Sequence, residues 1–356
     1  MDKFDRYIIP ESATLADALG QLNNLPGGEM TLFVVAEGSG RKLSGTLTDG
    51  DIRRGLIAGL GLDAPVSQAM HTDFKALGLA DPENDVDAIR AIRKLDINLV
   101  PRLDENGRLT EILDLRKTRS LLPLSAILMA GGKGERLRPM TLTTPKPLLE
   151  IDGRAIIDYN IISLIRAGIT DITVITRYLA EKIHAHFEKP FGNVKVKCVT
   201  ETNPLGTIGG TTLVERDCKG DTLVMNSDLL TTLSFEDMYL RHRDEHADIT
   251  VAVIPYQVSV PFAILTTDGP LVTGIEEKPS YSYFANAGIY IISNRLLNTL
   301  VAGERTDATD LIEKAVADGL RVVYHPVNGT WIDIGSPTDF ARAAELMRHL
   351  RNFTEI

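Results

Sequence analysis

The chain has 356 residues, of which 44% are hydrophobic and 24% charged, and its formal net charge is −10 at pH 7. This length and composition are typical of a soluble chain with room for two domains. The acidic balance argues against a general nucleic-acid binder, which usually presents a basic face, and against an anionic membrane surface as a partner. The two cysteines, Cys198 and Cys218, form no Cys-x-x-Cys pair, so neither a structural disulfide nor a thiolate metal site is expected.

The first seven residues, Met-Asp-Lys-Phe-Asp-Arg-Tyr, lack the apolar core of a signal peptide. No apolar run in the sequence approaches the length of a membrane span. Together with the cysteine usage, these features predict a cytoplasmic protein.

An internal repeat occupies the amino-terminal third of the chain. The apolar run 31–35 is followed by Gly-Arg-Lys-Leu at 40–43, and the run 97–101 is followed by Asn-Gly-Arg-Leu at 106–109. The offset is the same for both parts, since 97 − 31 and 109 − 43 are both 66. Two similar structural units are therefore predicted.

Each copy is preceded by a run with helical spacing, at residues 14–22 and 85–95. Ser12 and Asp85 are the predicted N-caps of these helices. Each copy is thus predicted to be a helix, a strand, a turn, a second strand and a short helix.

The segment Leu-Ser-Gly-Thr-Leu-Thr-Asp-Gly-Asp-Ile-Arg-Arg, residues 43–54, resembles a CBS module, and the two copies resemble a tandem CBS pair. In that family a Thr-x-x-Asp pattern contacts a nucleotide ribose, which here falls on Thr48 and Asp51. Asp51 would also serve as a cap for the helix that follows, and the two roles are compatible. In the second copy the corresponding residues are Asp114 and Lys117, so the ribose contact is expected to be lost there. The resemblance implies an adenine-nucleotide effector and a homo-oligomer.

Pro123 marks the predicted domain boundary, because it ends the helix-like segment 114–120 just before a new apolar run. The predicted domains are an α+β CBS pair at residues 1–121 and a second domain at 122–356.

A glycine-rich loop follows the apolar run 125–130, which is predicted to be a buried strand ending at Ala130. A loop of this kind can present backbone N–H groups to an anion. Its glycines are Gly131, Gly132 and Gly134, and the nearby cations are Lys133, Arg136, Arg138 and Lys146. The loop matches neither the Walker pattern nor the dinucleotide Gly-x-Gly-x-x-Gly pattern. On the glycines alone, a flexible turn with solvated charges is the favoured interpretation.

Downstream, apolar strands alternate with helices, which predicts a mostly parallel sheet with helices on both faces. The predicted strands are 172–176, 194–199 and 222–226, and the predicted helices are 155–167, 180–187 and 207–214. Ligands in such sheets bind at the carboxyl ends of the strands, here Ala130 and Asn226. The fold class is therefore α/β, with a Rossmann-like mixed sheet.

Taken at full length, Ala-Gly-Gly-x-Gly-x-Arg-Leu followed by Thr-Pro-Lys-Pro-Leu-Leu resembles the signature of the sugar-1-phosphate nucleotidyltransferases. The resemblance spans roughly residues 125–340. It implies Mg²⁺ or Mn²⁺ held by Asp228, in Asn-Ser-Asp, and by Asp333, in Trp-Ile-Asp-Ile-Gly.

The same resemblance assigns the other candidate residues. Arg136 would contact the triphosphate and Lys146 the α-phosphate, so that both are catalytic together with Asp228. Glu201 would accept hydrogen bonds from guanine, and the sugar phosphate would be bound by Glu277, Lys278 and Asn286. The remaining nucleotide-binding residues are Ala130, Gly131, Gly132, Gly206 and Asn226.

The implied reaction joins an NTP, with GTP favoured by Glu201, to a sugar-1-phosphate. The two-part layout resembles guanylyltransferases that activate amino sugars for nonulosonic (legionaminic-type) acid synthesis, and similar chains activate mannose- or heptose-1-phosphate. Ala263 stands where that family usually has glycine, which leaves the sugar open. The alternatives are a uridylyl- or thymidylyltransferase, and a non-catalytic nucleotide sensor in which the CBS pair is the active part.

Overall fold

The computed structural model of the protein describes residues 4–79 and 81–349. The chain divides into two compact units, Met1–Leu121 and Leu122–Ile356. Among the helices of the described residues, none combines the length and the apolar character that a membrane crossing requires.

The amino-terminal unit is built from short strands and helices that repeat once. Its elements are β1 (Ile8–Pro10), α1 (Leu15–Asn23), β2 (Thr31–Val35), β3 (Leu43–Thr48), α2 (Asp49–Ile57), α3 (Pro82–Arg93), β4 (Leu99–Leu103) and β5 (Leu109–Asp114). β2 pairs parallel to β1 and antiparallel to β3, and β4 pairs antiparallel to β5. Both copies of the predicted repeat therefore contain the expected pair of strands.

The two copies meet around a local twofold relation. Leu43 N donates to Gly107 O, and Leu109 N donates to Arg41 O, both at 3.0 Å. Leu109 is 66 residues after Leu43 and Gly107 is 66 after Arg41, so each bond is the counterpart of the other. The core between the copies repeats this pairing, because Leu43 and Leu109 pack in one cluster with Phe33 and its counterpart Leu99.

The predicted helix at the end of the second copy is absent, and the reason lies in its first turn. In the first copy, the Thr48 hydroxyl accepts a hydrogen bond from Asp51 N while the Asp51 carboxylate accepts one from Thr48 N, a capping box that starts α2. In the second copy Asp114 and Lys117 occupy these positions, and residues 115–117 form only a turn. Asp114 instead accepts hydrogen bonds from the backbone N–H groups of Arg116, Lys117 and Thr118, and these close a turn without a reciprocal cap to start a helix.

Two N-caps differ from the prediction. α1 is capped by Thr14, not by Ser12, because Thr14 and Asp17 form their own capping box. α3 is capped by Asp81 and starts at Pro82, three residues before Asp85, which lies inside the helix and pairs with Arg102. In both cases the helix begins at the residue whose side chain reaches the free N–H groups.

The carboxyl-terminal unit is a mixed α/β fold. Its strands are β6 (Leu124–Ala130), β7 (Glu150–Ile151), β8 (Arg154–Ala155), β9 (Ile172–Thr176), β10 (Lys197–Thr200), β11 (Asp221–Asn226), β12 (Leu229–Thr231), β13 (Ile249–Ser259), β14 (Ile264–Asp268), β15 (Leu271–Glu276), β16 (Ser280–Ser293), β17 (Val322–Pro326) and β18 (Trp331–Asp333). Its helices are α4 (Ile156–Arg166), α5 (Ala180–His186), α6 (Gly206–Gly209), α7 (Phe235–Asp244), α8 (Asn294–Leu297), α9 (Ala308–Ala317) and α10 (Pro337–His349).

Seven strands form the central sheet, in the order β10-β9-β6-β11-β16-β13-β17. Six of them are parallel and β16 runs against its neighbours β11 and β13, as expected for a mostly parallel sheet. β6, β9 and β11 end at the same edge, at Ala130, Thr176 and Asn226. The helix predicted at 207–214 is shorter, since α6 gives way to a 3₁₀ turn at Gly210–Leu213.

The outer parts of β13 and β16 extend beyond the core and carry the hairpin β14–β15 between them. Residues 254–286 are called the arm below. All five residues of β14 are exposed, and so are five of the six residues of β15.

The loop after β6 is held in one shape by Thr141. Gly134 adopts φ of +61°, a left-handed conformation that favours glycine. A Cβ at this position would lie 2.9 Å from Thr141 Cγ2 and 3.2 Å from Lys146 Cβ. The buried Thr141 hydroxyl donates to Gly134 O at 2.7 Å. The glycine loop therefore folds back on the segment that carries Lys146.

This geometry separates two neighbouring glycines. We expect Gly134→Ala to lower the free energy of unfolding of the carboxyl-terminal unit by about 1–3 kcal/mol, because it combines backbone strain with a close contact. Gly132→Ala is the matched control, since no atom lies within 4 Å of a Cβ there. Denaturant unfolding followed by the fluorescence of Trp331, the single tryptophan, measures this unit alone. Equal stability of the two variants would contradict the assigned loop shape.

Candidate functional site

The Lys146 ammonium lies between two carboxylates. Its Nζ donates a hydrogen bond to Asp228 Oδ2 and lies 3.6 Å from Asp333 Oδ1. The two aspartates meet because β12, which begins directly after Asp228, pairs with β18 so that Leu229 is opposite Asp333. Lys146 is only 8% exposed, whereas the side chains of Asp228 and Asp333 are 25% and 45% exposed, so a buried ammonium meets two partly exposed carboxylates.

Arg136 lies beside the same cluster. A Cβ on Gly335, two residues after Asp333, would be 3.0 Å from the Arg136 Nη2 atom. Burial raises the pKa of Asp333, and the negative charge of Asp228 raises it further, whereas Lys146 and Arg136 lower it. Two cations and two carboxylates thus balance each other at the end of β11.

The two aspartates fit a divalent cation that is completed by substrate oxygens. Within the part of the chain that the structure describes, no group of three or more His, Cys, Asp or Glu side chains could hold a metal ion. Mg²⁺ rarely needs such a cage, because it usually takes one or two carboxylates, water and substrate phosphates. Burial is the main cause of the raised pKa of Asp333, and the negative charge of Asp228 adds to it, an effect that a divalent cation would oppose.

Glu201 is buried below the glycine loop. A Cβ on Gly131 would lie 3.3 Å from Glu201 Oε2, and a Cβ on Gly210 would collide with Oε1, so the carboxylate is enclosed by backbone on both sides. Burial raises the pKa of Glu201, whereas the backbone N–H of Leu205 and the charge of Arg177 lower it. The side chain is 6% exposed in total, unlike the solvated charge that is common at a strand end.

Asn226 and Asn286 both lie beside Gly288 of β16. A Cβ on Gly288 would lie 2.6 Å from Asn226 Nδ2, which requires glycine at that position on β16. Asn286 Oδ1 accepts a hydrogen bond from Gly288 N at 2.9 Å, and Asn286 Nδ2 donates to the Tyr290 hydroxyl at 2.8 Å. Asn286 is therefore positioned by β16 next to the end of β11.

The other candidates are more dispersed. Glu277 and Lys278 lie on the exposed bend between β15 and β16, and within the described chain neither side chain forms an ion pair or a hydrogen bond. Gly206 packs against Thr306 at the start of α6. Gly132 is exposed, with open space around it.

The site is an open edge and does not coincide with a partly open cavity of about 350 Å³ in the same unit. That cavity lies at the opposite ends of the strands, where Ser125, Asp221 and Arg216 are among its lining residues. None of the candidate residues lines it.

Two residues at the site were not singled out from the sequence. Arg177 directly follows β9, and its Nε lies 3.8 Å from Glu201 Oε2. Thr141 fixes the glycine loop, as described above. Arg177 could have been identified from the sequence, because it follows a buried strand at the same sheet edge as Gly131. Thr141 could not, because its contact with Gly134 depends on the folded loop.

Comparison with known proteins places these features in context. A mannose-1-phosphate guanylyltransferase from Mycobacterium tuberculosis is 31% identical over 238 residues, which cover 63% of this chain and 65% of that protein. A mannose-1-phosphate guanyltransferase from Gibberella zeae is 30% identical over 228 residues, covering 61% and 62%. The chain therefore spans less than two thirds of the length of these relatives.

The fold has a counterpart among solved structures. A Bacillus anthracis protein, provisionally described as a glucose-1-phosphate thymidylyltransferase and solved with sucrose, superposes with a TM-score of 0.50 at 23% identity. The match covers 63% of this chain and 95% of that one, so the likeness concerns the fold. The family model for nucleotidyl transferases matches residues 125–349, which is more than half of the sequence. The chain belongs to the nucleotidyl transferase family.

Proposed function

We propose that the protein transfers a nucleoside monophosphate from an NTP, preferentially GTP, to a sugar-1-phosphate. The observation that carries this proposal is the cluster that the buried Lys146 forms with Asp228 and Asp333, with Arg136 beside it, next to a glycine loop. The names of the relatives, mannose-1-phosphate guanylyltransferases, support both the reaction class and the base.

In this reaction an oxygen of the acceptor phosphate forms a bond to the α-phosphorus of the NTP. The bond from the α-phosphorus to the bridging oxygen breaks, and pyrophosphate leaves with the electron pair. The acceptor phosphate is already a competent nucleophile, so no strong base is required. The main demand is to bring two anions together and to stabilise the charge that develops on the leaving group.

The cations of this chain meet that demand in distinct places. Lys146 has three N–H donors, and its hydrogen bond to Asp228 leaves others for an oxygen of the α-phosphate. Arg136 would hold the triphosphate, and the N–H groups of Gly131 and Gly132 would line it. Lys278 would bind the acceptor phosphate, where its exposed position on the arm leaves it accessible.

Asp228 and Asp333 would hold Mg²⁺ or Mn²⁺, which neutralises phosphate charge and polarises the phosphorus–oxygen bonds when bound. In the absence of the ion, Lys146 holds the two carboxylates at the position where they are needed.

We assign the base to Glu201, with Ala130, Gly206 and Asn226 completing the nucleotide site. A buried carboxylate can accept from guanine N1–H and the exocyclic amine, two donors that uracil and thymine do not offer together. Glu277 and Asn286 would take sugar hydroxyls. The proposed acceptor is an amino sugar of the type used in legionaminic acid synthesis, such as glucosamine-1-phosphate, with mannose- and heptose-1-phosphate as alternatives.

For the amino-terminal unit we propose a CBS pair that binds an adenine nucleotide in a cytoplasmic, homo-oligomeric enzyme. The repeat, its local twofold contact and the Thr-x-x-Asp pattern at Thr48 and Asp51 support this assignment. In the alternative function, the protein is a non-catalytic nucleotide sensor and only the amino-terminal unit is functional. The Lys146 cluster argues against this alternative, because a transferase unit without activity has no need of these residues.

The reaction is tested most directly at Asp228. Asp228→Asn should lower pyrophosphate release from GTP and a hexose-1-phosphate by ~10²–10³-fold, because one carboxylate charge at the reacting phosphates is lost. Asp221→Asn, at the other end of β11, is the control and should retain turnover. Circular dichroism verifies that both variants fold. Near-normal turnover of Asp228→Asn would remove this residue from the proposed machinery.

The base preference is tested at Glu201. Glu201→Gln should reduce the ratio of kcat/KM for GTP to that for UTP by about 10–100-fold, because a hydrogen-bonded charge contributes ~1.5–3 kcal/mol. Glu181→Gln, exposed on α5, should leave the ratio unchanged. If the unaltered enzyme prefers UTP or dTTP, the uridylyl or thymidylyl alternative is correct and Glu201 has another role.

The effector is tested by calorimetry with AMP, ADP and ATP on the full chain. Asp51→Asn should weaken binding by about tenfold or more, since the ribose loses a charged acceptor. Asparagine still offers an oxygen to Thr48 N, so the capping box of α2 is largely preserved. Asp49→Asn, in the same helical turn, is the control. Absence of binding, or equal affinity in all three proteins, would reject the effector.

A further inference from the structure

The arm concentrates exposed apolar surface. Of the 23 large apolar side chains that are exposed in the described residues, eleven lie between 254 and 286. The arm consists of two two-stranded ribbons with few charges. A two-stranded ribbon without a covering layer is marginally stable in water. We therefore expect another protein surface to cover the arm.

The hairpin β14–β15 has one face without charged side chains. The pairing places Leu265 opposite Ile275 and Val272 opposite Thr267, so these four side chains share this face. The opposite face carries Asp268 and Glu276, paired with the apolar Leu271 and Ile264. The exposed fractions of Leu265, Val272 and Ile275 are 52%, 59% and 69%.

The ribbon formed by the outer parts of β13 and β16 has the same asymmetry. Tyr256 is opposite Tyr283, and Val258 is opposite Tyr281, on one face. The other face carries Gln257, Ser259, Ser280 and Ser282, together with Pro255 and with Phe284, whose ring stacks on Tyr324. The aromatic face is exposed, with Tyr256 at 59% and Tyr283 at 58%.

We infer that the arm is a dimerisation surface and that a second copy of this chain covers its two apolar faces. Apart from Thr267, the seven side chains named on these faces are apolar or aromatic, and together they expose roughly 700 Å² per copy, taking large side chains at about 150–250 Å² each. A standard stable interface buries about 800 Å² per partner, so the arm supplies most of the required area.

The composition of the two faces favours a second copy of this chain as the partner over a different protein. Interfaces between identical chains have more apolar cores than those between transient partners, and tyrosine is enriched in them. The two faces offer no charged group for a partner of opposite charge to recognise. A twofold dimer needs only that the same apolar patch meets itself.

The test is the mass of the full chain in solution, measured by sedimentation over a wide range of concentrations. The unaltered protein should sediment as a dimer. Leu265→Glu and Tyr283→Glu should each raise the dimer dissociation constant by about tenfold or more, because each places a charge in an apolar interface.

The controls are the neighbouring positions on the opposite faces, Thr266→Glu and Ser282→Glu, which add the same charge and should leave the dimer intact. Circular dichroism and Trp331 fluorescence separate loss of association from loss of folding. An unaltered protein that is monomeric throughout, with the apolar-face variants unfolding at lower temperature, would overturn the inference and assign the surface to another part of the chain. A dimer that survives both apolar-face variants would also overturn it.

Discussion

The carboxyl-terminal unit depends on one buried ammonium group. Lys146 joins three segments that are far apart in sequence, because Asp228 follows it by 82 residues and Asp333 by 187. A buried ammonium without partners would be very unfavourable, and here two carboxylates compensate its charge. The glycine loop, the end of β11 and the end of β18 are thereby held together before any substrate arrives.

The contacts that stabilise the buried Lys146 are also the contacts that the proposed reaction would use. The carboxylates that stabilise Lys146 are also the groups that would meet the phosphates, so any change that relaxes the cluster affects both properties. Burial and, after it, the negative charge of Asp228 raise the pKa of Asp333, whereas Lys146 and Arg136 lower it. Two carboxylates that are already held close together are preorganised to accept a divalent cation.

Much of the architecture could be predicted from the sequence. The strand at Ile172–Thr176 was predicted to the residue, and the mostly parallel sheet followed from the alternation of strands and helices. The two aspartates and Lys146 were identified by their motifs. Their direct contact could not be predicted, because it depends on the pairing of β12 with β18 and not on local spacing.

The errors have a common physical origin in capping. The repeat predicted that the second copy, like the first, ends in a helix. In the first copy Thr48 and Asp51 cap this helix, whereas Asp114 and Lys117 occupy these positions in the second copy. The N-caps of α1 and α3 were displaced for a related reason, since Thr14 and Asp81 have better reach to the free N–H groups. The burial of Glu201 depends on two distant glycines and had no local signal.

β16 gives the unit a mechanical property. It is a single strand of 14 residues whose inner half lies in the central sheet and whose outer half forms the arm. Since its hydrogen bonds to β13 continue along both halves, the arm cannot swing as an independent lid. The ladder is interrupted between Val251 and Val253, where the register shifts. Such an irregularity bends a strand most easily, so flexing of the arm would be centred there, close to Asn286, the cross-strand partner of Val253.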